Sequence, residues 1–134
     1  MITVLLADDH IMVREGLRYI LEAAGDIEII GLATNGEEAV AQALINCPNI
    51  AIIDLSMPVM DGLEATKQIL ELCPDTRVVT LSMYHTEEYV QHAVEAGAFG
   101  YVLKDAAGNE LVEAVRSLHT GKQYFSPQVA KYYL

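Results

Sequence analysis

Five times along the chain a short apolar run gives way to a longer stretch in which apolar residues recur every three or four positions. The short runs are Ile2–Ala7, Ile27–Ala33, Ile50–Ile53, Arg77–Leu81 and Phe99–Leu103. Most are apolar almost throughout, with no polar alternation, which predicts strands buried on both faces of a parallel sheet. Between and after them the spacing predicts helices. Met12–Ala24 carries Met12, Val13, Leu17, Ile20, Leu21 and Ala24 at helical intervals and stops at Gly25. Glu37–Asn46 follows an Asn35-Gly36 turn and turns Ala39, Val40, Ala43 and Leu44 inward. Gly62–Leu72 sets Leu63, Thr66, Ile69 and Leu70 on one side, with Asp61 as N-cap and Pro74 as stop. Thr86 is the expected N-cap of a helix reaching Ala96, with Glu87 and Glu88 in its first turn. A last helix, Gly108–His119, directs Leu111, Val112, Val115 and Leu118 to the core. Gln123–Leu134 is a tail with Pro127 at the start of a short helix.

Strand and helix thus alternate five times with short connections, the pattern of βαβ units with right-handed crossovers. The expected fold is α/β, a doubly wound parallel sheet with helices on both faces. A length of 134 residues suits one such domain.

In a parallel sheet every strand ends on the same edge, so the residues that follow the apolar runs are brought together. The first run ends in Asp8-Asp9-His10, the third in Asp54, the fourth in Ser82 and the fifth in Lys104; the second adds nothing. Taken singly, each has an ordinary explanation. Asp8 and Asp9 suit a helix cap, Asp54 a loop carboxylate, Ser82 a turn and Lys104 a solvated surface. Coincidence at four strand ends is much more specific. Three carboxylates at close quarters repel one another, and a lysine together with a hard divalent cation such as Mg2+ would offset that charge. A cation and an ammonium beside a carboxylate also favour phosphoryl transfer to an aspartate.

Composition narrows the classes. The chain is 52% hydrophobic, enough for a core. Its net charge of −11, from eight basic and 19 acidic residues, makes it a poor ligand for nucleic-acid phosphates by itself. No apolar run approaches the roughly 20 residues of a membrane span, and the N-terminus lacks the positive region of a secretory signal, so the expected location is the cytoplasm. Cys47 and Cys73 show no zinc-site spacing and are expected to pack at helix ends.

Leu5-Leu6-Ala7-Asp8-Asp9-His10, Asp54-Leu-Ser-Met-Pro-Val-Met-Asp-Gly62, Leu81-Ser82 and Gly100-Tyr-Val-Leu-Lys104 together resemble the receiver domain of two-component response regulators. Arg14-x-Gly16-Leu17 and the Lys104-Asp105 junction resemble the NarL/FixJ branch. The resemblance covers roughly residues 2 to 120. It implies a flavodoxin-like (βα)5 fold with strand order 2-1-3-4-5. It implies Asp54 as phosphoacceptor, Asp8 and Asp9 as acids of a Mg2+ site that also takes the Ser56 backbone carbonyl, and Lys104 as the partner of the phosphate. Ser82 and Tyr101 match the switch hydroxyl and switch aromatic. Met83 stands where many relatives have a small residue and is expected to narrow access to Asp54; Tyr84 and Ser56 occupy positions that tune dephosphorylation.

The implied partner is a histidine kinase, with homodimerisation on activation and DNA reached only through a helix-turn-helix domain absent from this chain. On this reading residues 1–121 form the receiver, and 122–134 begin a linker or short C-terminal helix. The alternatives are a free-standing receiver that docks to a protein, or a pseudo-receiver kept for binding alone. An aspartyl-nucleophile phosphatase would want a second acid two residues after Asp54, where this chain has Ser56.

Overall fold

The computed structural model describes residues 1–133. Five βα units appear in the predicted order. They are β1 (Ile2–Ala7), α1 (Ile11–Ala23), β2 (Ile27–Ala33), α2 (Gly36–Ile45), β3 (Ile50–Asp54), α3 (Gly62–Leu72), β4 (Arg77–Ser82), α4 (Glu87–Glu95), β5 (Gly100–Leu103) and α5 (Ala107–His119). A single 3-10 turn, Lys104–Ala106, joins β5 to α5. The tail adds β6 (Tyr124–Phe125) and α6 (Pro127–Ala130). Every strand pair is parallel and the sheet order is β2-β1-β3-β4-β5-β6. The flavodoxin-like order 2-1-3-4-5 holds, with one strand more than the sequence pattern foretells.

The period-two geometry of a strand sends alternate side chains into two separate cores. Val4, Leu6, Ile50, Ile52, Val79, Leu81 and Val102 meet Leu17 and Leu21 of α1 and Leu111, Val115 and Leu118 of α5. Leu5, Ala51, Ile53, Val78, Tyr101 and Leu103 face the other layer, with Ala39 and Ala43 of α2, Ile69 of α3 and Val90 of α4. Three inward assignments fail: Met12 is 84%, Val13 36% and Leu44 63% exposed. Met12 lies in the first turn of α1, beyond the end of β1, and α2 closes on its neighbours through Ala39 and Ala43, leaving Leu44 on its outer side. Thr86 is the α4 N-cap by position but makes no side-chain capping hydrogen bond, whereas the Asp61 carboxylate accepts the Glu64 amide at 3.0 Å as expected.

The tail belongs to the domain. Tyr124 and Phe125 pair with Gly100 and Tyr101, and the Ser126 amide donates to the Tyr101 carbonyl at 2.9 Å. A Cβ at Gly100 would lie 2.8 Å from the Tyr124 carbonyl oxygen, so the bare glycine admits this strand. The buried Ser126 hydroxyl donates to Glu110 at 2.6 Å and accepts the Leu103 amide at 3.0 Å. Tyr124 also donates to Glu110, and burial with that carboxylate raises its pKa to about 12. Tyr133 stacks on Phe125, with ring centroids 4.6 Å apart; Leu134 lies outside the described residues.

Cys47 and Cys73 do not simply pack. They form a disulfide, with Cα atoms 5.8 Å apart. The loops after α2 and α3 meet at the edge of the sheet where β3 and β4 begin, an adjacency that a separation of 26 residues does not disclose. Closing a loop of that length is worth about 3 kcal/mol by the chain-entropy argument. Urea unfolding with and without dithiothreitol checks this: the reduced protein should lose about that much, and a Cys47→Ser variant should be indifferent to reductant.

Candidate functional site

The residues foretold from strand ends converge. β1, β3, β4 and β5 lie side by side, and their C-terminal ends place Asp8, Asp54, Ser82 and Lys104 on one rim. The sheet's own ladder fixes the positions. The Leu55 amide donates to the Leu81 carbonyl at 2.9 Å, and the Asp8 amide to Ala33 at 3.0 Å. The loop after Asp54 is held just as closely. The Gly62 amide donates to the Leu55 carbonyl at 3.1 Å, and a Cβ on Gly62 would collide with the Asp54 backbone carbonyl. Gly62 thus lets α3 start directly beneath the acid. Val59, in the same loop, has a φ of 69°, a left-handed conformation that a β-branched residue rarely adopts.

Asp8 and Asp54 are 0% and 2% exposed, and Lys104 Nζ is 2.8 Å from Asp54 Oδ2 and 3.4 Å from Asp8 Oδ2. The lysine is therefore neither solvated nor free. Burial raises the pKa of Asp54, and the Asp8 charge adds to that; Lys104 and the Ser56 amide, 3.1 Å from Oδ1, oppose it. For Lys104 burial acts to lower the pKa, and the two carboxylates outweigh it, so the ammonium is held above its ordinary value. Asp8 Oδ2 and Asp54 Oδ2 receive no well-directed hydrogen bond among the described residues; the ammonium near them is an ion-pair contact. Two buried carboxylate oxygens left so, beside the more exposed Asp9, make a donor set suited to a hard divalent cation.

The other expected residues are placed as follows. Ser82 is buried, and its hydroxyl accepts the Tyr84 amide at 2.9 Å, the turn contact that its type alone foretells. The Tyr101 ring is wholly buried, and its hydroxyl donates to the Tyr84 carbonyl at 2.6 Å. Burial raises the Tyr101 pKa, with the nearby Ser82 hydroxyl opposing. Met83 is 66% exposed and lines a hollow with His85, Leu103, Lys104 and Asp105, to one side of the Asp54–Lys104 pair. Two residues that carried no site role in the sequence pattern prove to be part of the rim. Arg14 donates from Nη1 to the Asp8 carbonyl at 2.9 Å, and His10 Nδ1 lies 3.2–3.3 Å from Asp8, Asp9 and Lys104. The sole sequence cue for His10 is its place directly after the acid pair.

A doubly wound parallel sheet with buried acids and a lysine at its C-terminal edge defines a flavodoxin-like α/β domain whose candidate site lies where such sheets place their ligands. Comparison with known proteins carries this to a family. A profile of the response regulator receiver domain matches residues 4–116, and the chain belongs to that family of signalling proteins. It is 41% identical over 127 residues to the oxygen regulatory protein NreC of Staphylococcus carnosus, covering 94% of this chain and 58% of that one. It is 39% identical over 131 residues to the response regulator UvrY of Escherichia coli, covering 98% and 60%. The chain thus spans about three fifths of the length of these relatives. A LuxR-family two-component response regulator from an Aurantimonas species superposes with a TM-score of 0.93 at 32% identity, over 98% of this chain and 94% of that one. The signal receiver domain of NarL from Mycobacterium tuberculosis gives 0.86 at 31%, over 90% and 98%. No helix among the described residues is long and apolar enough to cross a membrane.

The raised pKa of Asp54 has a consequence for stability. Asp54 binds its proton more tightly folded than unfolded, so its contribution is full below the ordinary carboxylate pKa of ~3.9 and is lost as pH rises through the folded value. Asp54→Asn cannot ionise and escapes that loss. In metal-free buffer the variant should gain on the wild type progressively from about pH 4 toward neutrality. Urea melts across pH measure this, and a pH-independent difference would contradict it.

Proposed function

We propose that this domain is a phosphorylation-dependent switch that accepts a phosphoryl group on Asp54 from a histidine kinase. The observation that carries the proposal is the buried Asp54–Asp8–Lys104 constellation, with Lys104 Nζ 2.8 Å from the would-be nucleophile. An Asp54 oxygen bonds to phosphorus as the donor's P–N bond breaks, and the departing imidazole keeps the electron pair and takes up a proton. Lys104 turns from the free carboxylates to the oxygens of the transferred group. Asp8, Asp9, Asp54 and the Ser56 carbonyl would hold Mg2+, which when bound neutralises charge on the transferring phosphoryl oxygens.

Ser82 would release the Tyr84 amide and donate to a phosphoryl oxygen. The hydrogen bond from Tyr101 to the Tyr84 carbonyl ties the aromatic ring to the same loop, so movement at Ser82 is felt at Tyr101. Tyr101 in turn pairs with Phe125 of β6, so the surface of α4, β5 and α5 and the strand leading out of the domain share one element. A bias of a few kcal/mol between two arrangements suffices for such a switch. The domain would promote its own phosphorylation and the later hydrolysis of its aspartyl phosphate, with no further substrate.

The output we propose is control of transcription, through homodimerisation and a helix-turn-helix domain outside this chain. It rests on the resemblance to the NarL/FixJ branch and on relatives that extend well past the matched region. The place of action would be the cytoplasm, away from the membrane. In that reducing compartment Cys47 and Cys73 would be held as thiols. Their loops lie at the edge opposite the rim of acids, so either form leaves the site intact.

Incubation with acetyl phosphate and Mg2+, followed by intact mass, tests the chemistry. The wild type should gain one phosphoryl group, and Asp54→Asn, or the wild type with chelator, none. A phosphohistidine donor replaces acetyl phosphate if the exposed Met83 side chain hinders the small donor; no adduct from either would overturn the proposal. Mg2+ alone should raise the unfolding free energy, by about 2.7 kcal/mol at a hundred times its dissociation constant, and chelator should reverse the gain.

A further inference from the structure

We infer that His10 is a nitrogen ligand of the cation site, which gives this site an affinity for borderline transition ions that its oxygen donors alone would not provide. The inference rests on the cation site of the proposed function and adds a donor to it. His10 Nδ1 lies 3.2 Å from Asp9 Oδ1 and 3.3 Å from Asp8 Oδ1. Two ligands ~2.1 Å from one ion at right angles are ~3.0 Å apart, so the imidazole stands near the spacing of adjacent ligands on one centre. One donor atom each from Asp8, Asp9, His10 and Asp54 falls within a span of 4.8 Å.

The surroundings of Nδ1 are in conflict without a cation. Two carboxylates at 3.2–3.3 Å call for an N–H, while the Lys104 ammonium at 3.2 Å, which has no acceptor, calls for a lone pair. No tautomer satisfies both. A cation among these atoms satisfies the lone pair and the carboxylates together, and it releases Lys104 toward a phosphoryl group. The carboxylates of Asp8, Asp9 and Asp54 have one lysine ammonium, that of Lys104, beside them, so negative charge is left here for a cation to offset. The backbone keeps His10 in place. Its amide donates to Asp8 Oδ1 at 2.8 Å, and its carbonyl accepts the Arg14 amide at 2.9 Å. Imidazole suits Ni2+, Zn2+ and Cu2+ far better than Mg2+, so His10 should divide these ions where oxygen donors divide them less.

Equilibrium titration of wild type and His10→Gln with Mg2+ and Ni2+, and pulsed electron paramagnetic resonance of the Mn2+-loaded proteins, test the inference. The expected result has two parts: a 14N coupling from the imidazole in wild type and none in His10→Gln, and Ni2+ affinity about tenfold lower in the variant, a larger loss than that of Mg2+. Mn2+ bound with no 14N coupling, or Ni2+ affinity indifferent to the substitution, would overturn the role of His10 and leave the Mg2+ site standing. Failure of Mg2+ and Mn2+ alike to bind the folded wild type would remove both.

Discussion

Asp8 and Asp54 are almost wholly withdrawn from water and share the ammonium of Lys104. Withdrawing a charge from water is costly unless a partner is near, and here two negative groups have one positive neighbour. Burial raises the pKa of Asp54, and the neighbouring Asp8 charge adds to that. The fold tolerates this burial because the strands that lead to these residues are buried almost throughout and held in a continuous parallel ladder.

The scaffolding beneath the rim is correspondingly stiff. Gly62 allows α3 to begin against the backbone of Asp54, and Gly36 approaches the carbonyl of Met60, to which its amide donates at 3.0 Å. The loop between them carries the left-handed Val59. Strain of that kind persists only where surrounding contacts over-determine the chain, and it often accompanies functional loops. Stiffness on the β3 side contrasts with the β4–β5 side, where Ser82, Tyr84 and Tyr101 are joined by hydrogen bonds that can be exchanged for others.

The tail and the disulfide extend the domain in opposite directions. β6 and Ser126 tie the residues after α5 to the backbone of Tyr101 and Leu103, immediately before Lys104. A shift at Lys104 thus has a short covalent and hydrogen-bonded route to β6 and α6. The disulfide ties the ends of α2 and α3 at the far edge, where it can alter stability without reaching the acids.

The alternation of strand and helix, the parallel sheet with helices on both faces and the gathering of Asp8, Asp54, Ser82 and Lys104 follow from the sequence by itself. Parallel βαβ topology leaves no freedom in where strand ends go, so local pattern was sufficient. β6 was not legible, because two residues are too few to show a period and its pairing depends on the bare backbone at Gly100. The Cys47–Cys73 bridge, the outward positions of Met12, Val13 and Leu44 and the absent Thr86 cap depend on which loops and faces meet, which no single stretch encodes. His10 was legible as a motif residue only. Its closeness to Asp8 and Asp9 is local, but its 3.2 Å contact with Lys104 spans 94 residues, and only the tertiary structure decides it.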